Sequence, residues 1–302
     1  MYYGVSLLAG MLISVMVVFN GALSGQAGPG LSLVIIHIAG LAASALALLL
    51  RREKPRMGRL KPVWYTAGLI GILTTLFNLR AYGHISVSAM MALGLLGESA
   101  SGLLADHIGF LGHPVRRFRR EKLLGLLVTL AGIAIMLTDF EWVAVIVSLL
   151  AGLSILLSRL INGRLSRVVG VYSATFINYV SGLSGALLVL AVTGVPRGMA
   201  LTGPFTNYLG GALGAVIVLI CNAVVGRIAS FYLTLTLFVG QVTAGLLLDM
   251  ALTGAFPART ALGGLFVLAG LCLSLLQDRA YNKKSRGGFG GQLNCRQGKI
   301  LQ

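Results

Sequence analysis

The chain has 302 residues, 57% of them hydrophobic and 11% charged, with a mean hydropathy of +0.90. Soluble domains carry about 25% charged residues, so a water-soluble fold is excluded. The net charge of +16 would suggest a nucleic-acid partner in a soluble protein, but here the basic residues lie between apolar runs, the pattern that orients a membrane protein and not one that binds nucleic acid.

Ten apolar runs follow in chain order, at about 3–22, 30–50, 63–82, 85–105, 121–138, 143–161, 171–192, 207–227, 229–250 and 260–277. Each approaches the length a helix needs to cross about 30 Å of hydrocarbon. Their continuous apolarity, without period-two alternation, predicts helices and not barrel strands. The first run has no basic leader and reads as a span, not a cleaved signal. Gly25, Gly28 and Pro29 predict a tight turn after it. Residues 51–61 then carry six basic residues and 113–122 carry five, and both loops follow an even-numbered span. Arg164, Arg167, Arg227 and the tail fall on the same side, giving 20 basic residues there against Arg80, Arg197 and Arg259 opposite. Thr138-Asp139-Phe140-Glu141, on the opposite side, is acidic. The basic side is therefore expected to be cytoplasmic, with both termini inside and a multi-pass protein in the cell (inner) membrane. The Gly-rich, basic stretch from Lys283 to Gln302 is expected to be a disordered cytoplasmic tail. Cys221, Cys272 and Cys295 have neither disulfide nor metal spacing, and no cofactor motif is present.

The runs are duplicated. Val5-Ser6-Leu7-Leu8-Ala9-Gly10 recurs letter for letter 142 residues later as Val147-Ser148-Leu149-Leu150-Ala151-Gly152. At the same offset Asn20-Gly21 faces Asn162-Gly163, and Gly40 faces Gly182. With one residue inserted, Tyr65 faces Tyr208, Gly71 faces Gly214, and Gly97-Glu98 with Gly102-Leu103-Leu104-Ala105-Asp106 faces Gly240-Gln241 with Gly245-Leu246-Leu247-Leu248-Asp249. Five spans per copy is an odd number, so the two copies must cross in opposite directions. The expected fold is an all-α integral membrane protein of ten transmembrane helices in two inverted five-helix repeats, 1–140 and 141–280, followed by the tail 281–302.

These motifs carry a family resemblance. A five-span unit opens with a Leu-Ala-Gly run, continues to an Asn-Gly pair, and later shows Gly-Gln-x-x-x-Gly-Leu-Leu-x-Asp before a proline loop. Both halves contain it, and the chain over 3–278 resembles the YdcZ-type branch of the drug/metabolite transporter superfamily. The resemblance implies a ten-helix inner-membrane carrier of small molecules and leans towards export. Glu98 departs from the pattern, which has Gln there, whereas Gln241 keeps it.

Polar groups inside spans are the candidate substrate- or ion-binding residues. An ionised side chain in mid-bilayer costs about 2.5–3.5 kcal/mol, so Glu98 is expected to face an interior. It reads either as a proton- or cation-coupling carboxylate or as a structural acid between the halves. Asn20 and Asn162 read as helix caps or as helix breaks exposing backbone groups to substrate. Arg159 either snorkels to the cytoplasm or binds an anionic group. His37 and its counterpart Tyr179 are packing residues or relay groups. Asn78, Asn222 and Gln241 either bond across helices or line a cavity. Gly97 and Ser101, like Gly240 and Ala244, form small-residue pairs for close helix packing. Asp106 and Asp249 read as hydrated span-end anchors, and Tyr65 and Tyr208 as interfacial aromatics.

A secondary-active transporter moving a small metabolite or cation by alternating access accounts for these features best. Partners are then the lipid bilayer, a small-molecule substrate and a coupling proton or cation. No nucleotide-binding motif supplies energy. A membrane-embedded enzyme lacks a convergent catalytic set, and a non-transporting membrane subunit or regulator would need a partner on the basic cytoplasmic loops, which topology and anionic lipid already explain.

Overall fold

The computed structural model describes residues 2–108, 110, 122–137, 141–195, 202–224, 227, 230–274 and 276–277. Most of the second basic loop, Thr138-Asp139-Phe140, Arg197, the side chain of Asp106 and the tail lie outside the described residues. Within them the protein is helical, with no strand beyond an isolated bridge between Tyr82 and Ile85. This follows from the solvent: in hydrocarbon every backbone N–H and C=O must be satisfied within the segment, and an apolar helix does this without a partner.

The helices are α1 (Tyr2–Leu50), α2 (Ala67–Ala81), α3 (Val87–Ile108), α4 (Lys122–Met136), α5 (Trp142–Val169), α6 (Val171–Thr193), α7 (Gly210–Val224), α8 (Ser230–Thr253) and α9 (Ala258–Ser274). Among the described residues, six helices are long and apolar enough to cross a membrane (α1, α3, α5, α6, α8, and α7 with the 3-10 turn before it), while α2, α4 and α9 are shorter apolar helices. The 49 residues of α1 exceed one bilayer crossing at 1.5 Å per residue. Gly28 interrupts it with φ 72° and ψ 162°, a left-handed value that glycine adopts at no steric cost. Pro29 then starts the second arm, where a missing N–H costs nothing. The turn expected after the first run is thus a single-residue break. The expected third span is divided: a 3-10 turn at Pro62–Tyr65 precedes the 15 residues of α2.

Glycines set the packing. A Cβ on Gly10 would land on the Leu237 carbonyl of α8, and one on Gly240 of α8 would land on the Leu7 carbonyl. The same crossing occurs between α3 and α5, where a Cβ on Gly97 meets the Leu149 carbonyl and one on Gly152 meets the Gly94 carbonyl. Gly10 and Leu7 are separated from Gly152 and Leu149 by 142 residues, and Gly97 and Gly94 from Gly240 and Leu237 by 143. A second pair of contacts has the same relation: a Cβ on Gly211 of α7 meets the Ile36 carbonyl, and one on Gly68 of α2 meets the Asn178 carbonyl. Such approaches bring backbones close enough for tight van der Waals packing, supplemented by Cα–H to carbonyl contacts, where lipid is as apolar as the side chains.

Two further contacts are reciprocal. His37 packs its ring edge on Gly182 of α6, while Tyr179 of α6 packs its ring on Gly40 of α1, and the two rings lie 5.8 Å apart, tilted by 51°. Helices α4 and α9 meet glycine to glycine, Gly125 against Gly270 and Gly132 against Gly263.

Asp249 is not a hydrated anchor. It is buried, and its carboxylate accepts hydrogen bonds from Val87 N (2.8 Å) and Ser88 N (3.1 Å), satisfying two orphan donors at the start of α3. The small-residue positions Gly97 and Gly240 do serve close packing, against α5 and α1 respectively. Tyr65 donates its hydroxyl proton to the Gly58 carbonyl of the first basic loop, holding that loop to the helix bundle.

Candidate functional site

A cavity of about 250 Å³ lies inside the bundle, and α1, α2, α3, α5, α6, α7 and α8 all contribute to its wall. Glu98, Gln241, Asn78, Asn222, His37, Tyr179, Asn20, Asn162 and Arg159, the nine candidates from the sequence, all line it. Their convergence has a geometric origin. The glycine crossings place Glu98 beside Gly152 on α5 and Gln241 beside the Gly10 stretch of α1, so both residues open onto the space between the crossings.

Arg159 Nη1 donates to Glu98 Oε1, forming an ion pair between α3 and α5. The two side chains are 26% and 15% exposed, so the pair is largely out of water. Arg159 therefore neither snorkels nor stands alone. At the equivalent crossing of α1 and α8 the corresponding residues are Val17 and Gln241, which carry no charge. One crossing holds an ion pair and its counterpart does not.

The amides form a second group. Asn162 Nδ2 donates to Asn222 Oδ1 at 3.5 Å, and Asn222 Nδ2 donates to Thr175 Oγ1 at 3.4 Å. Asn20 and Asn162 are 6% and 5% exposed, and among the described residues no donor reaches Asn20 Oδ1, Asn162 Oδ1, Asn178 Oδ1 or Thr74 Oγ1. Buried carbonyl oxygens are seldom left without a partner, because each costs about 1–3 kcal/mol unpaired. Asn20 and Asn162 are neither caps nor breaks: both lie within continuous helix, well inside α1 and α5. Asn20 instead turns its side chain towards Gly210, where a Cβ would occupy its Oδ1.

His37 Nδ1 donates to the Leu33 carbonyl oxygen at 2.8 Å, one helical turn back. That bond and the contact with Gly182 hold the imidazole as a packed wall residue. Tyr179 turns its hydroxyl towards the Gly211 carbonyl oxygen at 3.4 Å, and a Cβ on Gly214 would crowd that hydroxyl. Among the described residues no cluster of His, Cys, Asp or Glu could hold a metal ion.

Sequence reasoning passed over Thr74, Thr75, Ser158, Asn178 and Cys221, which also line the cavity. A signal was present. Thr74, Thr75 and Asn78 share a face of α2 at helical spacing, as Ser158, Arg159 and Asn162 do on α5.

The family described as "Putative inner membrane exporter, YdcZ", of the drug/metabolite transporter type, matches residues 1–135 and 143–273. The chain belongs to this family. A YdcZ-family protein is a multi-pass inner-membrane protein of the transporter class, and the apolar helices agree with that. The two matched segments meet within 136–142, between α4 and α5, and the cavity draws residues from both. Among fifteen matching chains of solved structures, one titled "Crystal structure of protein" aligns with a TM-score of 0.61 at 18% identity. The alignment covers 91% of this chain and 98% of that one, a likeness of fold alone. No curated protein matches.

Proposed function

We propose that this YdcZ-family protein is a secondary-active exporter and not an enzyme, moving a small metabolite or cation across the inner membrane by alternating access. Its ten spans form two inverted five-helix repeats, 1–140 and 141–280, with both termini in the cytoplasm. The paired glycine crossings support this arrangement: α1 crosses α8 as α5 crosses α3, at residues separated by 142 and 143 positions. The reciprocal contacts of His37 with Gly182 and of Tyr179 with Gly40 are what a pseudo-two-fold axis between the halves produces. Exchanging the conformations of two such halves turns a cavity open to one side into a cavity open to the other.

The observation that carries the reading is a cavity walled by residues of both matched segments and holding Glu98 against Arg159. A structural subunit has no need of a cavity in its middle lined in part by charged and amide side chains. Glu98 is the candidate group for a coupling proton or cation. The test is solute flux into proteoliposomes of the full chain, with and without a proton gradient. Flux that depends on the protein and responds to the gradient, with the response absent in Glu98→Gln, is expected. Flux equal to that of empty liposomes for a broad metabolite and cation panel would reject the carrier, and a gradient response unchanged in Glu98→Gln would reject the role of Glu98.

A further inference from the structure

We infer that the cargo of the cavity is a small zwitterion, one ammonium and one carboxylate on an apolar body, which binds by opening the Glu98–Arg159 pair and replacing each partner with a charge of its own. The inference rests on the carrier reading and goes beyond it to the substrate class. Both charges of the pair border the cavity, and neither is free. A ligand with a single charge would engage one partner and leave the other uncompensated in a low-dielectric interior, the most costly arrangement of a buried pair. A zwitterion avoids this: its ammonium takes Glu98, its carboxylate takes the Arg159 guanidinium, and the net charge of the chamber does not change.

Two further features match. Asn20 and Asn162 line the cavity, are nine-tenths buried and have carbonyl oxygens that no donor reaches among the described residues, so rotation of either side chain towards the cavity would offer an ammonium a further acceptor. Met90, Met91, Leu95, Leu237 and Phe238 add apolar surface to the cavity lining. At about 250 Å³ the chamber lies a little below the roughly 300–1,000 Å³ of pockets for drug-sized ligands, which suits a cargo about the size of an amino acid.

The probes are L-leucine, L-methionine and L-phenylalanine, each beside its decarboxylated amine and its deaminated acid. Binding is read as thermal stabilisation of the detergent-purified full chain and transport as flux into proteoliposomes. At least one zwitterion is expected to bind about tenfold or more tightly than both of its singly charged analogues, a difference in dissociation constant. In Glu98→Gln/Arg159→Val, which copies the uncharged counterpart crossing of Gln241 and Val17, that preference is expected to fall to about twofold or less. Amine or acid binding as well as the zwitterion, no zwitterion binding, or a preference retained in the double variant would each overturn the inference. Flux of singly charged or neutral solutes alone would do so while leaving the carrier reading intact. Zwitterion binding with the stated preference but no flux would uphold the ligand class and remove the carrier reading.

Discussion

At the scale of single residues the protein turns on an asymmetry. Two equivalent crossings frame the cavity, and only one carries a charge pair: Glu98 with Arg159, against Gln241 with Val17. Removing one partner leaves a charge with no compensation, so Glu98→Gln or Arg159→Val alone should lower stability by about 3 kcal/mol, the low end for buried pairs because both side chains keep some exposure. Combining them should recover most of that loss, since the second crossing accommodates the same residues. A double-mutant cycle on heat-induced unfolding in detergent reads this directly, and additive losses would refute the coupling. Much of the site was legible one residue at a time. A polar side chain inside an apolar span has few places to go, and the nine residues chosen on that ground share one chamber. Their pairings were not legible. Glu98 and Arg159 are 61 residues apart, and their meeting depends on how α3 crosses α5, which no local pattern specifies. The Asn-Gly pairs were misleading for a physical reason: in hydrocarbon a broken helix exposes unsatisfied backbone, so α1 and α5 continue through Asn20 and Asn162.

At the scale of elements, glycine does what burial of apolar surface does in water. Helices in lipid gain little from hiding leucine, so they associate where backbones come into contact. Gly10, Gly97, Gly152 and Gly240 all lie where a Cβ would strike a carbonyl of the crossing helix. The shift needed to accommodate even a methyl group falls on backbone, which cannot rotate away. Gly97→Ala or Gly240→Ala should therefore cost about 1–3 kcal/mol, as overpacking does. Gly102→Ala, on the same helix as Gly97 but with nothing within 4 Å of the added Cβ, should be neutral or stabilising by up to about 1 kcal/mol through helix propensity. Unfolding midpoints of the three variants in one detergent check this, and equal effects at Gly97 and Gly102 would contradict it. The small-residue pairs on these spans were readable as packing sites, but not their partners: the repeats exchange partners, α3 with α5 and α8 with α1. The break at Gly28 was readable as a turn, and its brevity follows from glycine and proline adjoining at 28 and 29.

At the scale of the molecule, the fold class was legible in composition and the duplication in letters, while the helix lengths were not. Helix α2 is short because Pro62 opens a separate 3-10 turn before it, a division that hydropathy alone does not register. Three arginines rest on aromatic rings, Arg51 over Tyr172, Arg164 over Trp64 and Arg227 over Tyr2, and all three are among the residues expected on the cytoplasmic side. Cation–π contacts of this kind hold a helix end at the water boundary while the rings remain in the interface.

The central claim is that the cavity opens alternately to the two sides, and the chain carries its own probe. Cys221 lines the cavity, and with Cys272→Ser and Cys295→Ser it becomes the sole thiol. The measurement is the labelling rate of Cys221 by a membrane-impermeant thiol reagent, applied to right-side-out and to inside-out vesicles. Alternating access predicts labelling from both sides in the absence of cargo. Labelling from one side only, or from neither while a permeant reagent reacts, would contradict it.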